Sequence, residues 1–162
     1  MEITLSQKER MLLEDQKSHE QICIEKYNNY ANQTKDNQLK QIFNANGQAE
    51  RTHLDSINQL LSGKIPQMNQ QQNQSSGKTM GNQGSTTNMN NTQTGGVNLS
   101  DADMCTDLLM TEKYVSGAYD TTIFEFRDTK ARDVLNHIQK EEQKHGEALF
   151  QYMESKGMYN VQ

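Results

Sequence analysis

Glu50-Arg51-Thr52-His53 and Glu142-Gln143-Lys144-His145 are two copies of one short pattern, Glu-x-x-His, 92 residues apart. On a helix, positions i and i+3 project from the same face, so each copy offers one carboxylate and one imidazole to a common point. A Glu precedes each copy by 30 residues, Glu20 in the first case and Glu112 in the second. With a turn near Lys35, Glu20 and Glu50 each lie roughly 22 Å from it along helices rising ~1.5 Å per residue. They therefore sit at one height on antiparallel neighbours, and Glu112 and Glu142 do the same about a turn near Arg127. One Glu-x-x-His alone is a weak signal, common on any charged helix. Two, each with an upstream Glu at equal spacing, are a strong one.

The surrounding residues make these helices. Leu5, Leu12, Cys23, Tyr27 and Tyr30 fall on one helical face, and Leu39, Ile42, Phe43, Leu54, Ile57, Leu60 and Leu61 on another after Thr34-Lys35-Asp36. Met104, Leu108, Val115, Tyr119 and Phe126 form a third stripe. Val134, Leu135, Ile138, Leu149 and Tyr152 form a fourth after Arg127-Asp128-Thr129. The spacing is i, i+3, i+4, i+7 rather than alternation. Ser6 with Glu9 and Ser100 with Asp103 have N-terminal capping spacing, Asp36 and Asp128 can cap the return helices, and Gly63 and Gly157 sit where helices should stop. The expectation is an all-α four-helix bundle with helices over 5–34, 36–62, 100–127 and 129–156.

The hairpins are an internal repeat. Leu12 to Leu61 lies over Met104 to Met153 without a gap. Identical pairs are few: Asp15/Asp107, Glu20/Glu112, Tyr27/Tyr119, Asp36/Asp128, Asn44/Asn136, Glu50/Glu142, His53/His145 and Gln59/Gln151. The turn caps and the acids and imidazoles are prominent among them.

All six of Glu20, Glu50, His53, Glu112, Glu142 and His145 lie on the apolar stripes, and no Arg or Lys shares those stripes nearby. An unpartnered carboxylate in a core costs several kcal/mol or becomes neutral. Two divalent cations would balance four of them, and one Glu from each of two helices plus Glu-x-x-His from each of the other two is the di-iron or di-manganese carboxylate pattern. Chance surface charges, or a neutral hydrogen-bonded core cluster, are the competing accounts. Tyr27 and Tyr119 follow the upstream Glu by seven residues and could hydrogen-bond a ligand carboxylate across the bundle; a buried aromatic with a satisfied hydroxyl is the simpler account of each. His19 and His137 fall off the ligand line and are expected in solvent.

Between the hairpins the composition changes abruptly. Residues 63–98 are a tract of Gln, Asn, Ser, Thr, Gly and Met without an aromatic residue and almost without charge, which reads as a disordered linker between hairpins at 1–62 and 99–162. The net charge of -5 gives no electrostatic reason to bind nucleic acid or an anionic membrane, and no apolar run reaches membrane-spanning length. Met1 to Leu5 meets Gln7, Lys8, Glu9 and Arg10 at once, which predicts no signal peptide and a cytosolic site of synthesis. Cys23 and Cys105 lack metal or redox spacing and read as small apolar residues in a reducing compartment.

The repeat, the ligand set and the Glu-x6-Tyr of each first helix resemble the ferritin-like superfamily, as in rubrerythrin and bacterioferritin, with a shorter separation between Glu and Glu-x-x-His. The resemblance implies a long connection running the length of the bundle from the second helix to the third, and two iron or manganese ions. A more specific resemblance covers Leu99 to Val161. Leu99-Ser100-Asp101, Asp107-Leu108-Leu109-Met110-Thr111-Glu112-Lys113-Tyr114 and Lys156-Gly157-Met158-Tyr159-Asn160-Val161 look like the spore coat protein F family. That resemblance implies a helical module made in the mother-cell cytoplasm and deposited on the spore coat, with other coat proteins or further copies of itself as partners. A structural coat role and a di-metal oxidase, peroxidase or catalase-like activity are both open, and they are compatible. Iron storage ranks below them, because nothing in the sequence suggests a cage-forming fifth helix.

Overall fold

The computed structural model describes residues 2–67 and 99–161. Four helices make up the fold: α1 (Gln7–Gln33), α2 (Asn37–Leu61), α3 (Asp101–Glu125) and α4 (Thr129–Ser155). The first three start after their expected first residues because Ser6, Asp36 and Ser100 are caps, whereas α4 starts at the expected Thr129 behind its cap Asp128. Ser6, Asp36, Ser100 and Asp128 all hold extended backbone and accept the amide of the residue three positions on. Ser6 and Glu9 form a reciprocal capping box, with Glu9 N–H donating to Ser6 Oγ at 3.1 Å and Ser6 N–H to Glu9 Oε2 at 2.7 Å. At Ser100 the hydroxyl instead donates to Asp103 Oδ2 at 2.8 Å, so the backbone of Ser100 gets no reciprocal bond. Gly63 and Gly157 follow α2 and α4 with φ of 82° and 70°, the left-handed conformation that lets a chain leave a helix.

Each helix lies antiparallel to two neighbours. Along α1 and α3, Gln16 donates to Thr122 Oγ1 at 3.0 Å and, nearer the other end, Lys26 to Asp107 Oδ1 at 2.9 Å. Between α2 and α4, Lys156 pairs with Asp36 at 3.5 Å. The chain leaves α2 beside the start of α1, where Ile3 N–H donates to Gly63 O at 2.8 Å. It enters α3 at the opposite end, where Tyr30 Oη donates to Asp107 Oδ2 at 2.6 Å. These anchor points are those of a lengthwise connection. Residues 68–98, which hold most of the tract read as a disordered linker, lie outside the described residues. The tract's expected first residues do not behave as linker: Ile65 packs on the core and Pro66 is buried, and Glu2 and Lys64 form an isolated bridge.

Apolar burial gathers at the two ends of the bundle. One cluster holds Leu13, Cys23, Ile57, Val115, Tyr119 and Ile138; the other holds Tyr27, Phe43, Met104, Leu108, Leu149 and Tyr152. Complete burial of such side chains contributes ~1.5–3 kcal/mol each. On every helix the candidate ligands lie between a residue of one cluster and a residue of the other, so a polar layer divides the core. On α1 the core residue is Leu13; Leu12, placed on the stripe from sequence, is only half-buried. Leu13, Gln16, Glu20, Cys23 and Tyr27 keep the 3,4 spacing that faces the interior, and Leu12 is one step out of phase.

Candidate metal centre

The polar layer is Glu20, Glu50, His53, Glu112, Glu142 and His145, each at most 5% exposed. α1 and α3 contribute one Glu each, and α2 and α4 contribute one Glu-x-x-His each. Nδ1 of His53 lies 3.1 Å from Glu50, 3.3 Å from Glu142 and 3.7 Å from Glu20. Nδ1 of His145 lies 3.1 Å from Glu50, 3.2 Å from Glu142 and 3.6 Å from Glu112. The two rings stack with centroids 5.6 Å apart. One ring nitrogen carries one proton or one lone pair, so it cannot satisfy three carboxylates.

The ligand atoms fall into two sets, Glu20, Glu50, His53 and Glu142 on one side and Glu50, Glu112, Glu142 and His145 on the other. Within each set they lie no more than 4.8 Å apart. Glu50 and Glu142 belong to both sets; each remaining Glu and His belongs to one. The oxygens Glu20 Oε2, Glu112 Oε2 and Glu142 Oε1 are buried without a hydrogen-bond partner. Unpaired buried carboxylate oxygens are costly, and a hard or borderline cation among mixed carboxylate and imidazole donors answers that cost. The residues therefore fit a pair of divalent ions.

Protons alone can also balance the cluster. Burial, with Glu142 and Glu50 close by, raises Glu20 well above the usual carboxylate range; burial, with the same neighbours, raises Glu112. Burial opposes the anions of Glu50 and Glu142 too, but hydrogen bonds from His145 and His53 hold both below that range. Burial likewise opposes the imidazolium ions, yet carboxylate partners raise His53 to about 9 and His145 to about 12. The metal-free layer thus pairs two anions with two imidazolium ions.

Tyr27 donates to Glu112 Oε1 and Tyr119 to Glu20 Oε1, each across to the other hairpin. Burial, and then the facing carboxylate, pushes both phenols above their ordinary range, so they stay protonated and serve as donors. Asn46 adds a bond from its Nδ2 to Tyr27 Oη at 3.1 Å. Asn46 lies one turn before Glu50, but its repeat counterpart is Ile138, so no matched pair in the sequence marks it. Both cysteines are free and buried, and Cys23 has its thiol pushed up by burial and by the layer's carboxylates. His137 is exposed, as expected. His19 is not simply solvated: it is half-buried, 3.3 Å from Gln16 Oε1 and edge-on to Tyr114.

The fold and site define a four-helix bundle with a buried carboxylate–histidine layer. Residues 100–162, which hold the α3–α4 hairpin, match the Coat F domain family, and the match supports a spore coat protein. No curated protein and no solved structure matches the chain. Among the described residues no helix is long and apolar enough to cross a membrane.

Proposed function

We propose that the chain is a structural component of the endospore coat whose ferritin-like bundle holds two iron or manganese ions, with Glu50 and Glu142 shared between them. Glu20 and His53 complete one position, and Glu112 and His145 the other. The Coat F domain supports the coat role and association with other coat proteins or further copies of the chain. The observation carrying the metal reading is the pair of ligand sets that overlap at Glu50 and Glu142. Tyr27 and Tyr119 orient the unshared carboxylates by donating to one oxygen of each, leaving the other oxygen for a cation. Elemental analysis of protein purified without chelator tests the centre. Near-stoichiometric iron or manganese, lost in Glu50→Ala, is the expected result; none in the wild-type protein sinks it. Localising a tagged copy tests the coat role, and a soluble protein of vegetative cells contradicts it.

A second reading, oxidase, peroxidase or catalase-like turnover at the same centre, is favoured by a groove that reaches Glu112 and Glu142 from the surface. A bound metal pair would supply electron transfer to O2 or peroxide. The chain's own part is to exclude bulk water from the layer and to keep the tyrosine donors fixed. Peroxide consumption measured on the sample used for elemental analysis separates a turning-over centre from a structural one.

A further inference from the structure

We propose that the α3–α4 seam is the entrance to the metal centre, held open by Ser116 and Gly146, and that it admits small neutral or anionic reactants. The inference rests on the metal reading above. A cavity of about 890 Å³ lies on this seam and has Glu112 and Glu142 among its lining residues. Its walls include Leu109, Phe150, Ser116 and Gly146. Lys113, Lys140 and Lys144 also line it, as does Glu147, and Lys144 is paired with Glu141 at 2.7 Å. Against Glu147 and Glu141 the three ammonium groups leave the rim a small positive excess, which favours small anions over free cations there.

The internal repeat supplies the contrast. At the position of Ser116 the first hairpin has Ile24, which is 8% exposed, and at the position of Gly146 it has Leu54. Gly47 lets α1 and α2 come together: a Cβ there would lie 3.1 Å from Tyr27 Cβ. The matching residue of α4 is Gln139, whose amide reaches across to Ser116 O at 2.9 Å, so a full side chain stands between α3 and α4. Arg51 laces the first seam by donating to Asn28 Oδ1 at 3.1 Å. The corresponding residues of the second seam are Gln143 and Asp120. The same skeleton is thus closed by branched side chains on one side and left with small ones on the other.

The repeat also dictates the test. Gly146→Leu and Ser116→Ile install the first hairpin's residues in the second. A Cβ at Gly146 meets nothing closer than Leu109 Cδ1 at 3.6 Å, an ordinary contact, so the helix can accept it. Gly117→Leu is the control; its Cβ meets nothing within 4 Å, and it brings the same gain in helix propensity without lining this cavity.

The readouts are metal content and the rate of azide association with the loaded centre, followed by absorption, alongside peroxide consumption. Each door variant should slow azide association by about tenfold or more while the control leaves it unchanged. Metal content after prolonged loading should be unaltered in all three. Lys140→Glu should slow azide association at low salt and have a smaller effect at high salt. Full metal content with an unchanged azide rate in both door variants overturns the entrance and leaves the centre standing. A wild-type protein that takes up no metal overturns both.

Discussion

The two hairpins agree at the layer and differ at the seams. Glu20, Tyr27, Glu50 and His53 recur as Glu112, Tyr119, Glu142 and His145, and the tyrosines reach across reciprocally, so each hairpin finishes the other's half of the layer. Away from the layer the correspondence lapses. Asn46 faces Tyr27, but its counterpart Ile138 is apolar; Gly47 brings two helices together, but Gln139 spans the gap between the other two. The difference teaches which positions the geometry dictates. Four buried carboxylates constrain every residue that touches them, whereas seam residues need only fill or leave space.

The largest expected effect tests whether the halves of the layer are equivalent. Metal loading at about 1,000 times the dissociation constant should stabilise the fold by about 4 kcal/mol. That corresponds to a rise in melting temperature of roughly 10 °C or more for a bundle of this size. Glu50→Ala and Glu142→Ala should each abolish the rise, because each removes a ligand from both sets. Glu20→Ala and Glu112→Ala should each spare one set and keep part of it. Unequal retention in the last two variants would show that one hairpin holds its ion more tightly. Thermal melts with and without chelator make the comparison.

A smaller effect should distinguish the tyrosines. In metal-free protein, Tyr119→Phe takes a donor from Glu20 and nothing else, whereas Tyr27→Phe takes a donor from Glu112 and an acceptor from Asn46. Buried groups left unpaired cost about 1–3 kcal/mol each. Tyr27→Phe should therefore be the more destabilising, and Tyr27→Phe with Asn46→Leu should recover part of the loss. Denaturant midpoints in the four proteins check this; equal losses in the two single variants would remove Asn46 from the account.

Much of this architecture was legible because the chain states it twice. A single Glu-x-x-His is ambiguous, but Glu50 and Glu142 with equally spaced upstream acids fix helix pairing and height together, as does the placement of Asp36 and Asp128 at the turns. The repeat was also what concealed the rest. Asn46, Gln16 and Thr122 have Ile138, Leu108 and Tyr30 as counterparts, so a search for matched positions passes over the polar bonds that only the folded pair creates. Leu12 reads as a core residue in place of Leu13 because adjacent leucines leave helical phase undetermined until the neighbouring helix is in place. The open seam was not legible, since Ser116 and Gly146 acquire meaning only beside the Ile24 and Leu54 that fill the equivalent positions.

The smallest expected effect lies where the hairpins differ at a helix start. Glu9 closes the capping box with Ser6 and also takes Arg127 from the other hairpin, with Arg127 Nη2 3.0 Å from its Oε2 and the Arg127 amide 3.0 Å from its Oε1. Asp103, at the corresponding position of α3, bonds Ser100 but has no such arginine bond among the described residues. Burial opposes the Glu9 anion, but Arg127 and Ser6 hold its pKa down to about 2. A carboxyl depressed in the folded state stabilises fully above its unfolded pKa of ~4.5 and loses that contribution as pH falls towards 2. Most of the Arg127 side chain is in solvent, so the pair is screened, and Glu9→Gln should cost about 1 kcal/mol at neutral pH. The gap between variant and wild type should narrow as pH falls from about 5 to about 3, because the unfolded wild-type carboxyl takes up its proton there while the folded one, held at about 2, largely does not. A gap that stays constant over that interval would mean that shape and neutral hydrogen bonding, rather than charge, hold Arg127 against the start of α1.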